Sequence, residues 1–224
     1  MIKYIGLFVI SILLAPSCIR SELIPLKGNQ FILIKKGEYH VGDINGFLND
    51  PEYSKSRVKI ENSFYIQDKE ITQNQWYSIM GYNPSFHKGD NLPLENASLK
   101  EIQTFIKLLN KMTPEKFRLP TDIEWEIACR GGNTYDFSFG NRRKAKQVIS
   151  EYCWHSDNSD NRTHFVGSKK ANAYGIYDMH GNITEMCLAS DGQLYTSGGS
   201  AEKYDHRIPS QIFLTSFSNL LNIL

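Results

Sequence analysis

Cysteine is scarce in this chain, and its spacing excludes the sites that depend on cysteine pairs. Only four of the 224 residues are cysteine, and no two are separated as C-x-x-C, so a zinc ribbon or a dithiol redox motif is excluded. Apart from Cys18 there are Cys129, Cys153 and Cys187, which could include one disulfide in an exported protein or could be isolated buried thiols. The six histidines show neither an i, i+4 pair nor finger spacing, so we assign them no metal.

An excess of charge of either sign is also missing. The chain has 25 Lys+Arg against 24 Asp+Glu, a formal net charge of +1 at pH 7. Nucleic-acid-binding domains need a basic field to attract phosphates, and peripheral membrane proteins need one to attract anionic lipids. Nucleic acid is therefore not an expected partner, and the length favours a single domain with one sizeable core.

A hydrophobic run long enough to span a bilayer is absent from the amino terminus. Lys3 is followed by an apolar stretch from Ile5 to Leu14, which is shorter than a transmembrane helix requires. This pattern predicts a signal peptide over residues 1–17 and an exported protein of a bacterial cell envelope. Cys18 would be the first mature residue and the site of a lipid anchor, the expected link to a membrane. Cleavage without lipidation remains open, because Pro16 and Ser17 are poor matches to a lipoprotein signal.

Strands and a loop are predicted after the leader. Short β-rich runs at 32–34, 39–41 and 63–66 predict three strands. The segment Gly42 to Lys59 is polar and rich in turn residues, so we expect a surface loop there. From Asn133 onward the sequence shows no helical period, and we expect irregular structure.

Three helices are predicted by capping boxes, in which a Ser or Thr and a Glu or Gln three residues later satisfy each other's backbone N–H groups. Glycines at 81 and 131 are expected to end the first and third helices. The second helix carries an apolar stripe at i, i+3, i+4 and i+7, which predicts one buried face. The pairs are Thr72 with Gln75, Ser98 with Glu101, and Thr121 with Glu124.

Four blocks of sequence, taken in order, resemble the sulfatase-modifying-factor, or formylglycine-generating-enzyme, family over residues 31–200. They are KEITQNQW at 69–76, NLPLENAS at 91–98, FRLPTDIEWE at 117–126 and NAYGIYDMHGN at 172–182. The resemblance implies an α+β, C-type-lectin-like fold with few regular elements and long ordered loops. Within the third block, Arg118 is expected to form a buried ion pair, with Glu124 or Glu126 as its partner.

A calcium site is predicted at the end of the fourth block. Asp178 and Glu185 offer two carboxylates, and the carbonyls of Gly181 and Ile183 lie between them on one tight turn, which suits a hard cation. In the family the matching positions hold one calcium ion. The alternative is that the two carboxylates only cap a loop. A second calcium site of the family is not carried over, because the loop between Asn158 and Thr163 is shortened here.

The family's catalytic cysteines are missing. In the catalytic members, two cysteines after a Gly-Gly-Ser bind copper and oxidise a substrate cysteine to formylglycine, and soft thiolates are what copper(I) requires. Here Gly198-Gly199-Ser200 is followed by AEKYDHR, and no cysteine occurs after Cys187. Copper is therefore not expected, and no catalytic residue is assigned. The segment 201–224 also departs from the family and could be a substitute strand or a shortened tail.

These observations favour a non-catalytic binding or accessory domain of the cell envelope, with a protein or a glycan as its ligand. Its binding loops would be Gly42 to Lys59 and Ser190 to Arg207, because lectin-like frames bind through variable loops. Two alternatives stay open. One is a divergent formylglycine-generating oxidase or another modification enzyme of the family, and the other is a remnant that folds poorly.

Overall fold

The computed structural model of the chain describes residues 9–10, 26–42, 56–135, 137–188 and 194–198. Its elements are short and separated by long ordered loops, which confirms the predicted mixed α+β fold with few regular elements. Eight strands and four helices are described: β1 (Val9–Ile10), β2 (Phe31–Ile34), β3 (Gly37–Val41), β4 (Ser56–Ile60), β5 (Phe64–Gln67), α1 (Gln73–Met80), α2 (Leu99–Met112), β6 (Phe117–Arg118), α3 (Asp122–Arg130), α4 (Arg142–Tyr152), β7 (Glu185–Leu188) and β8 (Leu194–Ser197).

Several sequence predictions fall outside the described residues. These are Cys18 and the signal peptide apart from residues 9–10, the loop residues 43–55, most of the segment 190–207, and the tail 201–224. In the part of the chain that the structure describes, no helix has both the length and the apolar character needed to cross a bilayer.

The largest sheet has the strand order β2-β5-β1-β6. β2 and β5 pair antiparallel with Ile32 opposite Ile66, and β1 lies between β5 and β6. β1 belongs to the segment predicted to be a signal peptide. Removal of residues 1–17 would therefore leave β5 and β6 without the strand that they share.

The predicted loop from Gly42 to Lys59 was wrong at its carboxyl-terminal end, where Ser56–Ile60 forms β4. This strand pairs antiparallel with β3, with Tyr39 opposite Val58. The residues Arg57-Val58-Lys59-Ile60 alternate between exposed and partly buried positions, a period-two pattern that places Val58 and Ile60 against the core. The strand was not predicted because its exposed residues are charged and the segment around it is polar.

The three predicted helices are confirmed, each with a complete capping box. Thr72, Ser98 and Thr121 are the N-caps of α1, α2 and α3, and in each the side chain accepts from the backbone N–H three residues later. α1 and α3 end at Gly81 and Gly131, which adopt left-handed conformations with φ of 75° and 61°. The local sequence therefore determines both ends of two helices.

The prediction of irregular structure from Asn133 onward was wrong for two segments. Residues 142–152 form α4, and Glu185–Leu188 pairs antiparallel with Leu194–Ser197 as the β7–β8 hairpin. Val148, Ile149 and Tyr152 of α4 pack with Phe137 and Phe139 in a small apolar cluster. Tertiary packing of one narrow apolar stripe stabilises this helix.

Two larger apolar clusters form the core. In the first, the indole of Trp76 on α1 stacks on Phe105 of α2, with ring centroids 4.9 Å apart and planes 4° apart. In the second, Trp125 and Ala128 of α3 pack against Ile66 and Cys187. Each fully buried apolar side chain contributes roughly 1.5–3 kcal/mol. The candidate functional residues lie next to the second cluster, because the loop 167–183 packs against α3.

Candidate functional site

The predicted calcium turn is a tightly hydrogen-bonded segment at the end of the loop 167–183. The Gly181 N–H donates to the Asp178 carbonyl at 3.0 Å, and the Ile183 N–H donates to the Gly181 carbonyl at 2.9 Å. Asp178 and Asn182 have φ of 59° and 66°, left-handed values that Asp and Asn tolerate better than most residues. The turn thereby directs Asp178 and the following strand, β7, towards the same buried region.

Gly181 is required by a close approach of two backbones. A Cβ atom at this position would lie 2.1 Å from the Trp154 carbonyl oxygen, far inside van der Waals contact. The same carbonyl accepts a hydrogen bond from the Asn182 N–H at 2.8 Å. The turn is therefore fastened to the segment that follows α4.

Asp178 is buried, and only one of its carboxylate oxygens has a partner among the described residues. Oδ2 accepts from the Gly167 N–H at 2.6 Å, whereas Oδ1 is buried without a hydrogen bond. Burial raises the pKa of Asp178 to about 6, against the lowering influence of the Gly167 N–H and the Lys69 ammonium. An unpartnered buried carboxylate oxygen is costly unless a cation or a proton satisfies it.

Glu185, the first residue of β7, shows the same asymmetry. Its Oε2 accepts from the indole N–H of Trp125, and its Oε1 is buried with no hydrogen bond to the described part of the chain. Burial is the main cause that raises its pKa, and the negative charge of Asp178 raises it further. The carboxylates of Asp178 and Glu185 are therefore close enough for their charges to interact.

Glu70 is a third buried carboxylate, which the sequence analysis did not assign to the site. Its Oε2 accepts from the Asn182 side-chain amide at 2.9 Å, and its Oε1 has no hydrogen bond to a described residue. Burial raises the pKa of Glu70, and the charges of Asp178 and Glu185 add to that effect. No local spacing indicates this role, because Glu70 lies 112 positions before its partner Asn182.

Asn182 links this group of carboxylates to the preceding loop. Its side-chain oxygen accepts from the His164 N–H at 2.8 Å, and its amide donates to the His164 carbonyl at 3.1 Å as well as to Glu70. Glu70, Asp178 and Glu185 are thus held rigidly by backbone and side-chain groups. We call these three residues the carboxylate cluster.

The carboxylate cluster offers only oxygen atoms as possible metal ligands. Its oxygens are hard donors, and each member has one buried oxygen that no described residue satisfies. Within the described residues, no three His, Cys, Asp or Glu side chains are arranged to hold one metal ion. A calcium ion here would therefore need backbone carbonyls, such as those of Gly181 and Ile183, to complete its shell beside Asp178 and Glu185.

The three cysteines that the structure describes do not form a comparable site. Cys129, Cys153 and Cys187 are buried, free thiols. Burial raises the pKa of each, that of Cys153 to about 12. Cys187 lies 3.1 Å from the Ser197 hydroxyl, and Cys129 lies 3.8 Å from the His180 Nε2, but burial lowers the pKa of His180 to about 3. None of these thiols has a base that would ionise it at neutral pH.

The expected ion pair of Arg118 is present, and Glu124 is the partner. Two bonds of 2.7 Å join Arg118 to Glu124. Glu126 instead binds Arg130, at 2.7 Å from its Nε. The expectation of a buried pair was only half right, because the Arg118 side chain is 38% exposed whereas that of Glu124 is 11% exposed. This pair supports the start of α3, which carries Trp125 to the carboxylate cluster.

Comparison with known proteins identifies the family of this chain. The sulfatase-modifying factor enzyme 1-like domain model matches residues 22–209. Among curated proteins, the chaperone protein LppX of Paenibacillus barcinonensis is 30% identical in an alignment of 182 positions that covers 60% of this chain and 65% of that protein. The formylglycine-generating enzyme of Mycobacterium tuberculosis is 34% identical over 76 residues, or 30% of this chain and 25% of that enzyme.

The chain spans less than two thirds of the length of these relatives. A third relative, the formylglycine-generating enzyme of Mus musculus, is 24% identical over 64% of this chain and 45% of its own length. Activities of the whole relatives therefore do not transfer to this chain by similarity.

Solved structures support the fold. Treponema denticola variable protein 1 superposes with a TM-score of 0.67 at 22% identity, covering 79% of this chain and 85% of that one. PvdO from Pseudomonas aeruginosa superposes with a TM-score of 0.63 at 20% identity, covering 77% and 83%. With the domain model covering most of its length and these folds matching, the chain belongs to the sulfatase-modifying factor enzyme 1-like family.

Proposed function

We propose that this chain is an exported, non-catalytic binding or accessory protein of the cell envelope. The observation that carries the proposal is the absence of any cysteine after Gly198, where the catalytic members have their pair. The three cysteines that the structure describes are buried and free. Copper(I) chemistry needs accessible thiolates, and the buried thiols resist ionisation.

An accessory role is also supported by one of the relatives. One protein that is 30% identical over 182 residues is named a chaperone rather than an oxidase. A frame of short elements with long, hydrogen-bonded loops suits binding, because loops held on such a frame present side chains to a partner. Export is proposed from the predicted signal peptide at 1–17, and lipid anchoring from Cys18.

In this proposal calcium has a structural role. Asp178 and Glu185 would hold the ion together with the carbonyls of Gly181 and Ile183, while Glu70 would add negative charge beside it. When bound, the ion would supply positive charge that offsets the repulsion among three buried carboxylates. The expected consequence is a stiffer loop 167–183.

The non-catalytic proposal is tested directly by an oxidase assay. Purified protein is incubated with copper, oxygen and a peptide containing the Cys-x-Pro-x-Arg sulfatase sequence, and the peptide is weighed by mass spectrometry. A parallel incubation without protein corrects for oxidation by copper alone. We expect an unchanged cysteine after subtraction of this control, and formation of formylglycine above it would overturn the proposal.

Export is tested separately by expressing the full chain in a bacterium and weighing the protein recovered from the membrane fraction. A mature form that begins at Cys18 and carries diacylglycerol would support anchoring, and Cys18→Ser should then release the protein from membranes. A chain that keeps residues 1–17 in the cytoplasm would contradict export.

A further inference from the structure

Among the described strands, only β1 joins β5 to β6, and it belongs to the segment predicted to be removed on export. Its pairing is antiparallel with both neighbours, and Ile10 lies opposite Tyr65 of β5 and Phe117 of β6. β5 and β6 are therefore parallel to each other and do not pair directly in the described sheet. Neighbouring strands lie about 4.8 Å apart, so loss of residues 1–17 would leave a gap roughly 10 Å wide between them. We call this gap the β5–β6 slot.

Both walls of the slot are held in place by contacts that do not involve β1. β5 pairs with β2 on its other side. The Phe117 N–H donates to the Asn110 side-chain oxygen at 2.6 Å, and the Asn110 amide donates to the Phe117 carbonyl at 2.9 Å. A side chain of α2 thus covers the outer edge of β6. Because β5 and β6 are fixed to different parts of the core, we expect the slot to stay open when β1 is removed.

The slot is bounded by apolar side chains on both faces of the sheet. Phe117 belongs to the first apolar cluster and Tyr65 packs against it, whereas Ile66 belongs to the second cluster. Successive residues of a strand point to opposite faces, so a strand in the slot needs apolar residues at consecutive positions. The sequence Val9-Ile10 meets this requirement. The occupant must also have backbone N–H groups for both edges, which excludes proline.

One stretch of the tail meets both requirements. It is the apolar run Ile212-Phe213-Leu214, followed by Thr215, and it lies outside the described residues. Isoleucine, phenylalanine and threonine all favour strands. The sequence has no charged residue after Arg207 and no proline after Pro209. Such an uncharged, apolar segment favours aggregation when it is exposed, so a folded protein needs to cover it.

Other apolar pairs outside the described residues match the slot less well, because a proline or polar residues follow them directly. Leu23-Ile24 is followed by Pro25, Phe47-Leu48 by Asn49 and Asp50, and Leu220-Leu221 by Asn222. Asparagine, aspartate and proline are depleted in strands. The run that begins at Ile212 is therefore the better candidate.

The tail starts near the slot and is long enough to reach it. It follows β8, which pairs with β7, and Leu188 of β7 forms an isolated bridge with Thr121, just after β6. Ile212 lies 14 positions after Gly198, an extended length of up to roughly 45 Å. The radius of gyration expected for a domain of 224 residues is about 17 Å. The connection can therefore span the distance across a domain of this size.

We propose that residues 212–215 of the chain's own tail form the strand that occupies the β5–β6 slot in the mature protein. The tail is then the substitute strand rather than a shortened remnant. This inference rests on the proposed export, because the slot opens only when residues 1–17 are removed. In the precursor β1 fills the slot, so removal of the leader and docking of the tail are two halves of one exchange of strands.

The proposal is tested on protein that is expressed as the full chain in a bacterium and purified from its envelope. Intact mass establishes that residues 1–17 are absent, and hydrogen exchange is followed by mass spectrometry in peptides that contain β5 and β6. Phe213→Pro should speed exchange there roughly tenfold or more, because proline cannot donate to a neighbouring strand. Asn219→Pro is the matched control, since it makes the same change in the tail outside the proposed strand, and it should leave these rates unchanged. Exchange in α1 reports whether each variant stays folded.

A second measurement does not depend on a destabilising variant, and it distinguishes the chain's own tail from other occupants. p-Benzoylphenylalanine replaces Phe213, the processed protein is irradiated, and the cross-linked peptides are mapped. We expect a monomeric product in which this position is joined to β5 or β6. A covalent dimer would assign the strand to a second copy, and a cross-link to another protein would assign it to a partner. Either result would overturn the proposal.

Three further outcomes would also overturn it. The first is exchange in β5 and β6 that Phe213→Pro leaves unchanged in the processed protein. The second is equal acceleration by Phe213→Pro and Asn219→Pro. The third is an envelope protein that keeps residues 1–17, which would leave β1 in the slot. The intact mass separates the two proposals, because the third outcome also contradicts cleavage of the leader, whereas the first two contradict only the docking of the tail.

Discussion

Arg118 and Glu124 meet in a two-point ion pair, with Nη1 2.7 Å from Oε2 and Nη2 2.7 Å from Oε1. The same Glu124 carboxylate accepts from the Thr121 N–H at 2.9 Å, as the second half of the capping box of α3. One side chain therefore starts a helix and also fastens β6 to it. Arginine can form such a two-point pair with a carboxylate, whereas lysine acts as a point charge.

Glu124→Ala should lose both functions and destabilise the protein by about 2 kcal/mol, the sum of a lost cap and a partly exposed ion pair. Glu124→Gln keeps an acceptor for the Thr121 N–H and should cost about half as much, roughly 1 kcal/mol. Urea unfolding measures both. In a double-mutant cycle with Arg118→Met, the double variant should lose less stability than the sum of the losses of the two single variants. Additive losses would show that the pair contributes nothing.

Calcium should raise the melting temperature, because it would satisfy the free oxygens of Asp178 and Glu185 in the folded state only. Glu185→Gln should abolish that rise while keeping the side-chain volume. Glu38→Gln is the control: it neutralises an exposed carboxylate on β3 outside the carboxylate cluster, and the calcium response should persist. Identical melting curves in calcium and in chelator would end the calcium hypothesis.

Gly181→Ala should destabilise the turn severely, by about 3 kcal/mol or more, because overpacking against the Trp154 carbonyl forces the backbone to move. Gly89→Ala provides the comparison, since its added Cβ would meet only the Leu92 side chain, at 3.1 Å, and side chains can shift. Chemical denaturation should therefore show a much larger loss for Gly181→Ala. Equal losses would contradict the close approach.

The three buried thiols should be protected from alkylation in the folded protein. In a Cys18→Ser background, iodoacetamide should label Cys129, Cys153 and Cys187 roughly 1,000-fold more slowly than in urea, because labelling requires unfolding. Peptide mass mapping identifies each site. Rapid labelling of any of the three under native conditions would mean that the thiol is accessible.

Alkaline pH should weaken the fold through Cys153. Its pKa is raised from 9.0 to about 12 by burial, so between these values the unfolded state releases a proton that the folded state keeps, and stability falls as pH rises. The loss is about 1.4 kcal/mol per pH unit for this group. Cys153→Ala should remove that part of the slope in unfolding measured between pH 9 and pH 10.5, and an unchanged slope would contradict the shift.

The sequence predicted the elements whose signals are local. A capping box requires residues only three positions apart, so Thr72, Ser98 and Thr121 could be recognised directly. α4 was missed because its apolar side chains, such as Ile149, pack on residues outside the helix, such as Phe137. β4 was missed because strand pairing depends on β3, and the exposed charges of Arg57 and Lys59 resemble a loop.

The candidate site was predicted in part for the same reason. Asp178, Gly181, Ile183 and Glu185 lie within eight positions, so their spacing could be matched to a calcium turn. Glu70 could not be added, since it reaches the site through Asn182, 112 positions away.

By itself the sequence determined the family, the helix starts and the missing cysteine pair after Gly198, since each depends on residue identity or short spacing. Only the tertiary structure decided that Arg118 binds Glu124 rather than Glu126, that three carboxylates share one buried region, and that the remaining thiols are buried. The physical reason is that desolvation and pairing depend on which distant segments exclude water together, and spacing along the chain does not specify that.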